Sequence, residues 1–281
     1  MSEVLWNSRI PPEEPKHYRF GIWRALLRGV PVVLLITVCL VLMMLLRMVE
    51  WAMVGQKRPW TSFFPSFVSR TALRILGIRL IVEGTPMKHH GAVVANHSSW
   101  LDIFVLNAVG RVFFVSKAEV ASWPGIGFMA RVVGTVFINR NRHEAAKQKA
   151  LFEARLKMGH KLLFFPEGTS SDSLRVLPFK PTLFAAFFEP DLRDETWIQP
   201  VTVQYCAPEG EEPRFYGWWG DMEFGPSLIK VLQAPRQGAA RVCFHAPIAV
   251  QDVKDRKDMA RRCEDAVRAG LPEIPQAYRD A

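Results

Sequence analysis

Asn96, His97 and Asp102 stand in the segment AVVANHSSWLDIF, where a run rich in β-branched residues gives way to apolar residues at helical spacing. Histidine is the side chain whose ordinary pKa lets it take up a proton near neutral pH. His97 and Asp102 are five apart, whereas helix neighbours are three or four apart, so the pair would not share a face of one regular helix. They meet if His97 lies in the loop and Asp102 reaches back from the first turn. A carboxylate so placed bonds one ring nitrogen, fixes the tautomer and raises the basicity. The other nitrogen is then free to act as general base on a hydroxyl. The same residues read equally well as a capping aspartate and an incidental surface histidine.

The segment KLLFFPEGTSSD (161–172) runs an apolar strand directly into a polar loop. Gly168 permits close backbone approach, Thr169, Ser170 and Ser171 supply hydroxyls for an anionic or polyol group, and Glu167 can accept from a substrate hydroxyl. An ordinary turn uses the same residue types. In GTVFINRNR (134–142), Arg140 and Arg142 follow a strand. Arginine suits bidentate contact with phosphate, and an exposed strand end accounts for them as well.

Elements that position such residues alternate along the chain. Short strands are predicted over 78–84, 92–96, 111–116, 134–139, 161–166, 197–205 and 240–247, from β-branched and apolar runs. Helices are predicted over 99–108, with Ser98 and Ser99 as N-caps, over 143–159, and over 253–270 up to a glycine. The alternation predicts an α/β domain with a mixed β-sheet covered by helices.

Ahead of it, Val30 to Leu46 is seventeen residues without a charge, bracketed by Arg28 and Arg47. A membrane helix needs about 20 apolar residues, with about 17 as the lower limit. Gly29, Met48 and Val49 extend the run, because a terminal arginine can snorkel, and Pro31 suits a first helical turn. Lys57 to Ile78 mixes Trp60, Phe63, Phe64 and Phe67 with Arg70 and Arg74, as an amphipathic helix lying in the membrane interface does; a helix packed on the domain fits too. The resulting division is a polar tail (1–28), membrane-anchoring helices (29–78) and an α/β domain (79–281). Positive charge on both sides of the apolar run leaves the positive-inside rule silent on orientation.

The chain of 281 residues carries a formal charge of +9, which favours anionic surfaces. With a membrane segment present, lipid headgroups are the expected partner rather than nucleic acid. Four cysteines without C-x-x-C spacing predict neither a zinc ribbon nor a disulfide framework and point to a reducing compartment. His89 and His90 have no acidic or thiol partners at ligand spacing, so no metal is expected. Neither a Walker loop nor a dinucleotide fingerprint predicts a cofactor.

Taken in order, NHSSWLD (96–102), GTVFINR (134–140), FPEGT (165–169) and IQPV (198–201) resemble the glycerolipid acyltransferase family, over roughly residues 80–205. SKAEVASWPGIG (116–127), marked by Lys117, Pro124 and Gly127, is also similar to that family. The resemblance implies that His97 is the general base and Asp102 its orienting partner. It implies that Arg140 binds the acceptor's phosphate, that Glu167, Gly168 and Thr169 form the rest of the acceptor site, and that Asn96 and Gly134 belong to the substrate-binding motifs. Lys180 falls where the family often has a basic residue, although Pro181-Thr182 stand where a glycine usually follows. The implied reaction transfers a fatty acyl group from coenzyme A or acyl carrier protein to a lysolipid hydroxyl, with no further cofactor and no covalent enzyme intermediate; no G-x-S-x-G nucleophile elbow is present.

The acceptor implied first is 1-acyl-sn-glycerol-3-phosphate, giving phosphatidate. The segments PEGTSSDSLRVLPFK and FYGWWGDMEFGPSLIKVL are also similar to the bacterial branch that includes lyso-ornithine lipid acyltransferases. With that acceptor, Arg140 would meet a carboxylate, and one arginine fork serves either anion. Trp218 and Trp219 read as a membrane contact or as a packed aromatic loop. The resemblance also implies a bacterial inner membrane with the catalytic domain facing the cytoplasm. A hydrolase or transacylase on the same fold, and a non-catalytic lipid-binding relative, are the other readings; the absence of a serine nucleophile and the intact His97 and Asp102 weigh against them.

Overall fold

The structure, a computed structural model, describes residues 5–13, 16–138 and 145–279. Its centre is one mixed sheet. Strands β1 (Arg79–Glu83), β2 (Gly91–Ala95), β3 (Phe113–Lys117), β4 (Val136–Ile138), β5 (Leu162–Phe164), β6 (Trp197–Cys206) and β7 (Ala239–Phe244) lie in the order β1-β7-β6-β2-β5-β3-β4, and β8 (Ile248–Ala249) pairs with β6. From β6 through β2, β5 and β3 to β4 every pairing is parallel. β7 runs antiparallel to β6, and β1 follows β7.

β2 is buried along its whole length, as a strand covered on both faces must be. Its residues alternate between two cores: Ala92 and Val94 face one, Val93 and Ala95 the other, which is the two-residue period of a strand. Helices α2 (Phe63–Leu76), α3 (Asp102–Val109) and α7 (Phe224–Gln233) contribute to the second core. α5 (Ala145–Lys157), the 3-10 turns of Pro181–Phe188 and α8 (Arg256–Ala269) close the first. α8 starts where Asp255 accepts the N–H groups of Lys257 and Asp258, an N-cap that satisfies two orphan donors. A four-residue helix, α6 (Pro190–Arg193), leads into β6, and α4 (Ile126–Val133) leads into β4. α7 and β8 were not foreseen by the alternation of patterns.

α1 (Gly21–Val54) is 34 residues long and apolar enough to cross a membrane. It begins inside the stretch expected to be a polar tail, so Pro31 sits in the helix interior rather than in its first turn. Near its start, Arg24 donates to Gln233 O at 2.8 Å and Arg28 to Leu232 O and Ala234 O at 3.0 and 2.7 Å. These carbonyls end α7, where helix bonding leaves acceptors open and positive charge is favoured. Near its other end, buried Glu50 accepts the N–H groups of Trp60 and Thr61 at 2.7 and 3.1 Å, the Thr61 hydroxyl, and Arg47 at 3.0 Å. The start of α1 is therefore fastened to α7 and its other end to the loop before α2, from which Arg58 in turn donates to Val132 O of α4 at 2.7 Å. α2 packs on α3 through small residues, burying Ser66, Ser69 and Ala72, while Phe63 and Phe67 point outward. It is thus a helix packed on the domain that also keeps an exposed aromatic side.

Candidate active site

The C-terminal ends of parallel β2, β5 and β3 share one edge of the sheet, the edge where open α/β sheets bind ligands. His97 lies in the loop after β2, and Asp102 is the first residue of α3. Nδ1 of His97 is 2.7 Å from Oδ2 of Asp102. The same oxygen accepts the N–H of Ser98 at 2.8 Å and of Ser99 at 3.0 Å. Ser99 does act as a cap, its Oγ accepting the N–H of Leu101 at 3.2 Å just ahead of α3, whereas Ser98 contributes its backbone N–H to the aspartate, which holds the turn closed. Asp102 is fully buried, whereas the His97 side chain remains 21% exposed. Because Asp102 is an acceptor, the neutral imidazole carries its hydrogen on Nδ1 and presents the lone pair of Nε2 outward.

The loop after β5 grips His97 from the other side. Glu167 Oε1 accepts the His97 N–H at 2.9 Å, Ser171 N–H donates to His97 O at 2.9 Å, and Phe165 stacks on the imidazole with centroids 4.1 Å apart. Glu167 Oε2 accepts the N–H of Leu177 at 3.1 Å, so both its oxygens brace backbone. Burial pushes its carboxyl well above the usual carboxylate range, against the pull of those two donors and with the Asp102 charge adding to the rise. Gly168 adopts φ +73°, and a Cβ there would come within 2.6 Å of Lys180 Nζ. Only glycine lets this lysine lie across the loop. Thr169 is half-buried beside it and Lys180 is exposed.

Two residues expected to bind substrate are placed elsewhere. Asn96 is fully buried; its amide donates to Val203 O and accepts Val203 N–H, both at 2.8 Å, and it also donates to Ser98 Oγ at 3.2 Å. It ties β2 to β6 beyond Pro200 and has no face toward the site. Gly134 ends α4 before β4, at the opposite edge of the parallel strands, between Arg58 and Arg155. Both guanidinium groups bond carbonyls at that helix end, Arg58 that of Val132 at 2.7 Å and Arg155 that of Gly134. Burial and the neighbouring arginines Arg47 and Arg155 hold Arg58 down at about 10. Arg140 and Arg142 lie outside the described residues. Lys117 ends β3 on the same edge as His97.

Sequence reasoning missed Tyr205. Its hydroxyl donates to Asp102 Oδ1 at 2.7 Å from a fully buried position on β6. Only its distance in sequence hid it, since nothing local marks a tyrosine in an apolar strand as a partner of a carboxylate. The aromatic loop is packed rather than exposed: Trp219 is buried, and Trp218 N–H donates to Ser98 O at 2.9 Å. Trp100 sits edge-on to Phe224 and donates to Ser227 of α7 at 3.1 Å. The turn that carries His97 is thereby held from β5, β6 and α7 together.

Residues 79–204 match the family model described as Acyltransferase. The chain is 53% identical over 271 residues to the lyso-ornithine lipid O-acyltransferase of Rhodobacter capsulatus, covering 96% of this chain and 98% of that protein. It is 32% identical to the 1-acyl-sn-glycerol-3-phosphate acyltransferase of Neisseria meningitidis, over 72% of this chain and 78% of the relative. The fold matches the crystal structure of the 1-acyl-sn-glycerophosphate acyltransferase PlsC from Thermotoga maritima, with a TM-score of 0.60 at 20% identity, over 89% of this chain and 95% of that one. With its partly exposed histidine backed by a buried aspartate at the carboxyl edge of a mixed sheet, the chain belongs to the acyltransferase family.

Proposed function

We propose that the protein acylates the hydroxyl of a lyso-ornithine lipid, using an acyl thioester of coenzyme A or acyl carrier protein as donor. The similarity to the Rhodobacter capsulatus enzyme over nearly the full length of both chains carries the choice of acceptor. That choice reverses the order in which the motifs alone ranked the two acceptors. The site supports the chemistry. Nε2 of His97 takes the proton as the acceptor oxygen attacks the thioester carbonyl. The carbon–sulfur bond then breaks, and the thiolate leaves with the proton returned from the imidazolium. A positioned base of this kind is worth about 10²–10⁴ in rate, and alignment of the two substrates supplies more. Lys180, held over Gly168, gives the acceptor's anionic group a cation near the base, and Arg140 would add a second. Lysophosphatidate is the second reading, favoured by the similarity to the Neisseria meningitidis enzyme.

The protein associates with a membrane through α1. We read this association as one-sided. Arg24 and Arg28 hold one end of α1 on α7 while Glu50 holds the other on Trp60 and Thr61, so a spanning pose would pull part of the domain through the bilayer. At about 51 Å the helix is also longer than the roughly 30 Å hydrocarbon core. Its outward residues, among them Leu27, Val33, Leu34, Leu45 and Met48, suit burial in one leaflet. A cytoplasmic leaflet supplies the thioester donor.

The test is transfer of a labelled acyl group from each thioester to lyso-ornithine lipid and, separately, to lysophosphatidate. Product from the ornithine acceptor at higher kcat/KM supports the first reading. Product from lysophosphatidate alone replaces it with the second. Cysteines placed at Gln56 and at Asn7 should be labelled from the same side of sealed vesicles; labelling from opposite sides would exclude the one-sided pose.

A further inference from the structure

The two oxygens of Asp102 have different company. Oδ2 takes His97 Nδ1 and the N–H groups of Ser98 and Ser99. Among the described residues, the donor that reaches Oδ1 is the hydroxyl of Tyr205, at 2.7 Å. A carboxylate buried without water needs donors on both oxygens, because an unsatisfied buried lone pair is costly. Tyr205 comes from β6, more than a hundred residues away in sequence, so the contact exists only in the folded sheet. Its ring is clamped at 5.5 Å from that of Tyr216, which leaves little freedom to turn the hydroxyl elsewhere.

From this geometry we infer that Tyr205 is a positioning residue for acyl transfer, fixing the plane of Asp102 and moderating how strongly that carboxylate holds the imidazolium of His97. The inference rests on the reading of His97 as general base. With the hydroxyl in place, negative charge on Asp102 is shared between a phenol and the imidazole, and Oδ2 stays directed at Nδ1. Without it, Oδ1 has no partner, the carboxylate is free to rotate, and all of its charge acts on the ring. The phenol is suited to the task because it stays protonated: burial raises its pKa well above the usual value, and the neighbouring Asp102 charge raises it further. The other ionisable groups about the pair are Glu167 from the loop after β5 and Tyr216 beyond Tyr205. Arg268 on α8 acts on Glu167, and Arg28 on α1 and Cys206 on β6 act on Tyr216. None of these changes when Tyr205 loses its hydroxyl.

The experiment compares Tyr205→Phe, Tyr216→Phe and His97→Ala with the wild-type protein in thermal unfolding and in kcat and KM across pH. In Tyr205→Phe, kcat should fall by roughly tenfold or more, the fold-change that a charge-assisted hydrogen bond is worth, with KM for both substrates unchanged. The acidic limb of the profile should move to higher pH, because more of the carboxylate charge then acts on the ring. Tyr216→Phe, which loses a hydroxyl bonded to Gly238 and Gln237 rather than to Asp102, should leave the limb in place. A folded Tyr205→Phe with unchanged kcat and limb, beside an inactive His97→Ala, would overturn the role of Tyr205 alone. Undiminished transfer in His97→Ala would remove the base and this role with it. Should Tyr205→Phe fail to fold, 3-fluorotyrosine at position 205 keeps the shape and strengthens the donor. It should move the limb to lower pH, and an unmoved limb would overturn the inference.

Discussion

Oδ2 of Asp102 lies 2.7 Å from Nδ1 of His97 and also receives two backbone N–H groups, those of Ser98 and Ser99. One atom therefore both orients the imidazole proposed as the base and closes the turn that carries it. Removing the base should separate these tasks. His97→Ala should lower kcat by about 10²–10⁴ while unfolding near the wild-type temperature, because the ring is partly exposed and its backbone bonds persist. Asp102→Asn should lose both activity and stability, since an amide cannot accept all four donors. Paired activity assays and thermal melts distinguish the two patterns.

Asn96 offers a sharper contrast between binding and bracing. Its amide satisfies both backbone groups of Val203, and Asn96→Ala would leave them buried without partners. At about 1–3 kcal/mol for each of the two unmet groups, the loss should be about 2–6 kcal/mol. Denaturant unfolding should register that loss. KM for the acceptor, measured on the folded fraction, should not change.

Glu167 makes stability depend on pH in an unusual direction. Its folded pKa lies above its unfolded one, so the native state binds the extra proton between the two, and stability falls as pH rises from the ordinary carboxylate range toward the folded value. Glu167→Gln carries no such proton. The stability of the wild-type protein relative to this variant should therefore increase as pH is lowered from neutral toward 5. Melting curves of both proteins at several pH values give the difference, in which all other titrations cancel.

Gly127, at the start of α4, packs directly on the preceding turn: a Cβ there would overlap Ala121 O, Ala121 C and Val120 O, all backbone, at closer than van der Waals contact. Backbone cannot swing aside as a side chain does. Gly127→Ala should cost about 1–3 kcal/mol, the usual range for overpacking, and loosen α4. Limited proteolysis near Trp123 should then become faster than in the wild-type protein.

Much of this architecture is legible in the sequence because it is local. The strands around Val93 and Leu163 announce themselves by apolar runs, and the step from β2 into α3 by NHSSWLD. The spacing of His97 and Asp102 allows the geometry found, with the histidine in the loop and the aspartate in the first turn, but it allows a capping aspartate beside an incidental histidine as well. What is not legible depends on contacts between distant segments. Nothing in WIQPVTVQY distinguishes Tyr205 from a core tyrosine until β6 lies beside β2. Asn96 looks like a site residue because it adjoins His97, and only the pairing of β2 with β6 turns its amide inward. Gly134 reads as a site residue through its motif, yet it precedes β4 and so lies at the edge of the sheet opposite His97. Pro31 reads as a helix start because the apolar run begins there, whereas the helix itself starts at Gly21.

α7 joins what the sequence keeps apart. Its last carbonyls are held by Arg24 and Arg28 of the membrane helix, and its first turn touches Trp100 in the turn that carries His97. With α1 lying in one leaflet as proposed, this strut, about 15 Å end to end, would set the distance between the bilayer surface and the reacting hydroxyl. A lipid acceptor would then arrive by sliding sideways within the bilayer. Catalysis at such a surface answers to crowding in two dimensions: at fixed bulk acceptor, diluting it with inert lipid should slow the enzyme as surely as diluting a soluble substrate with buffer.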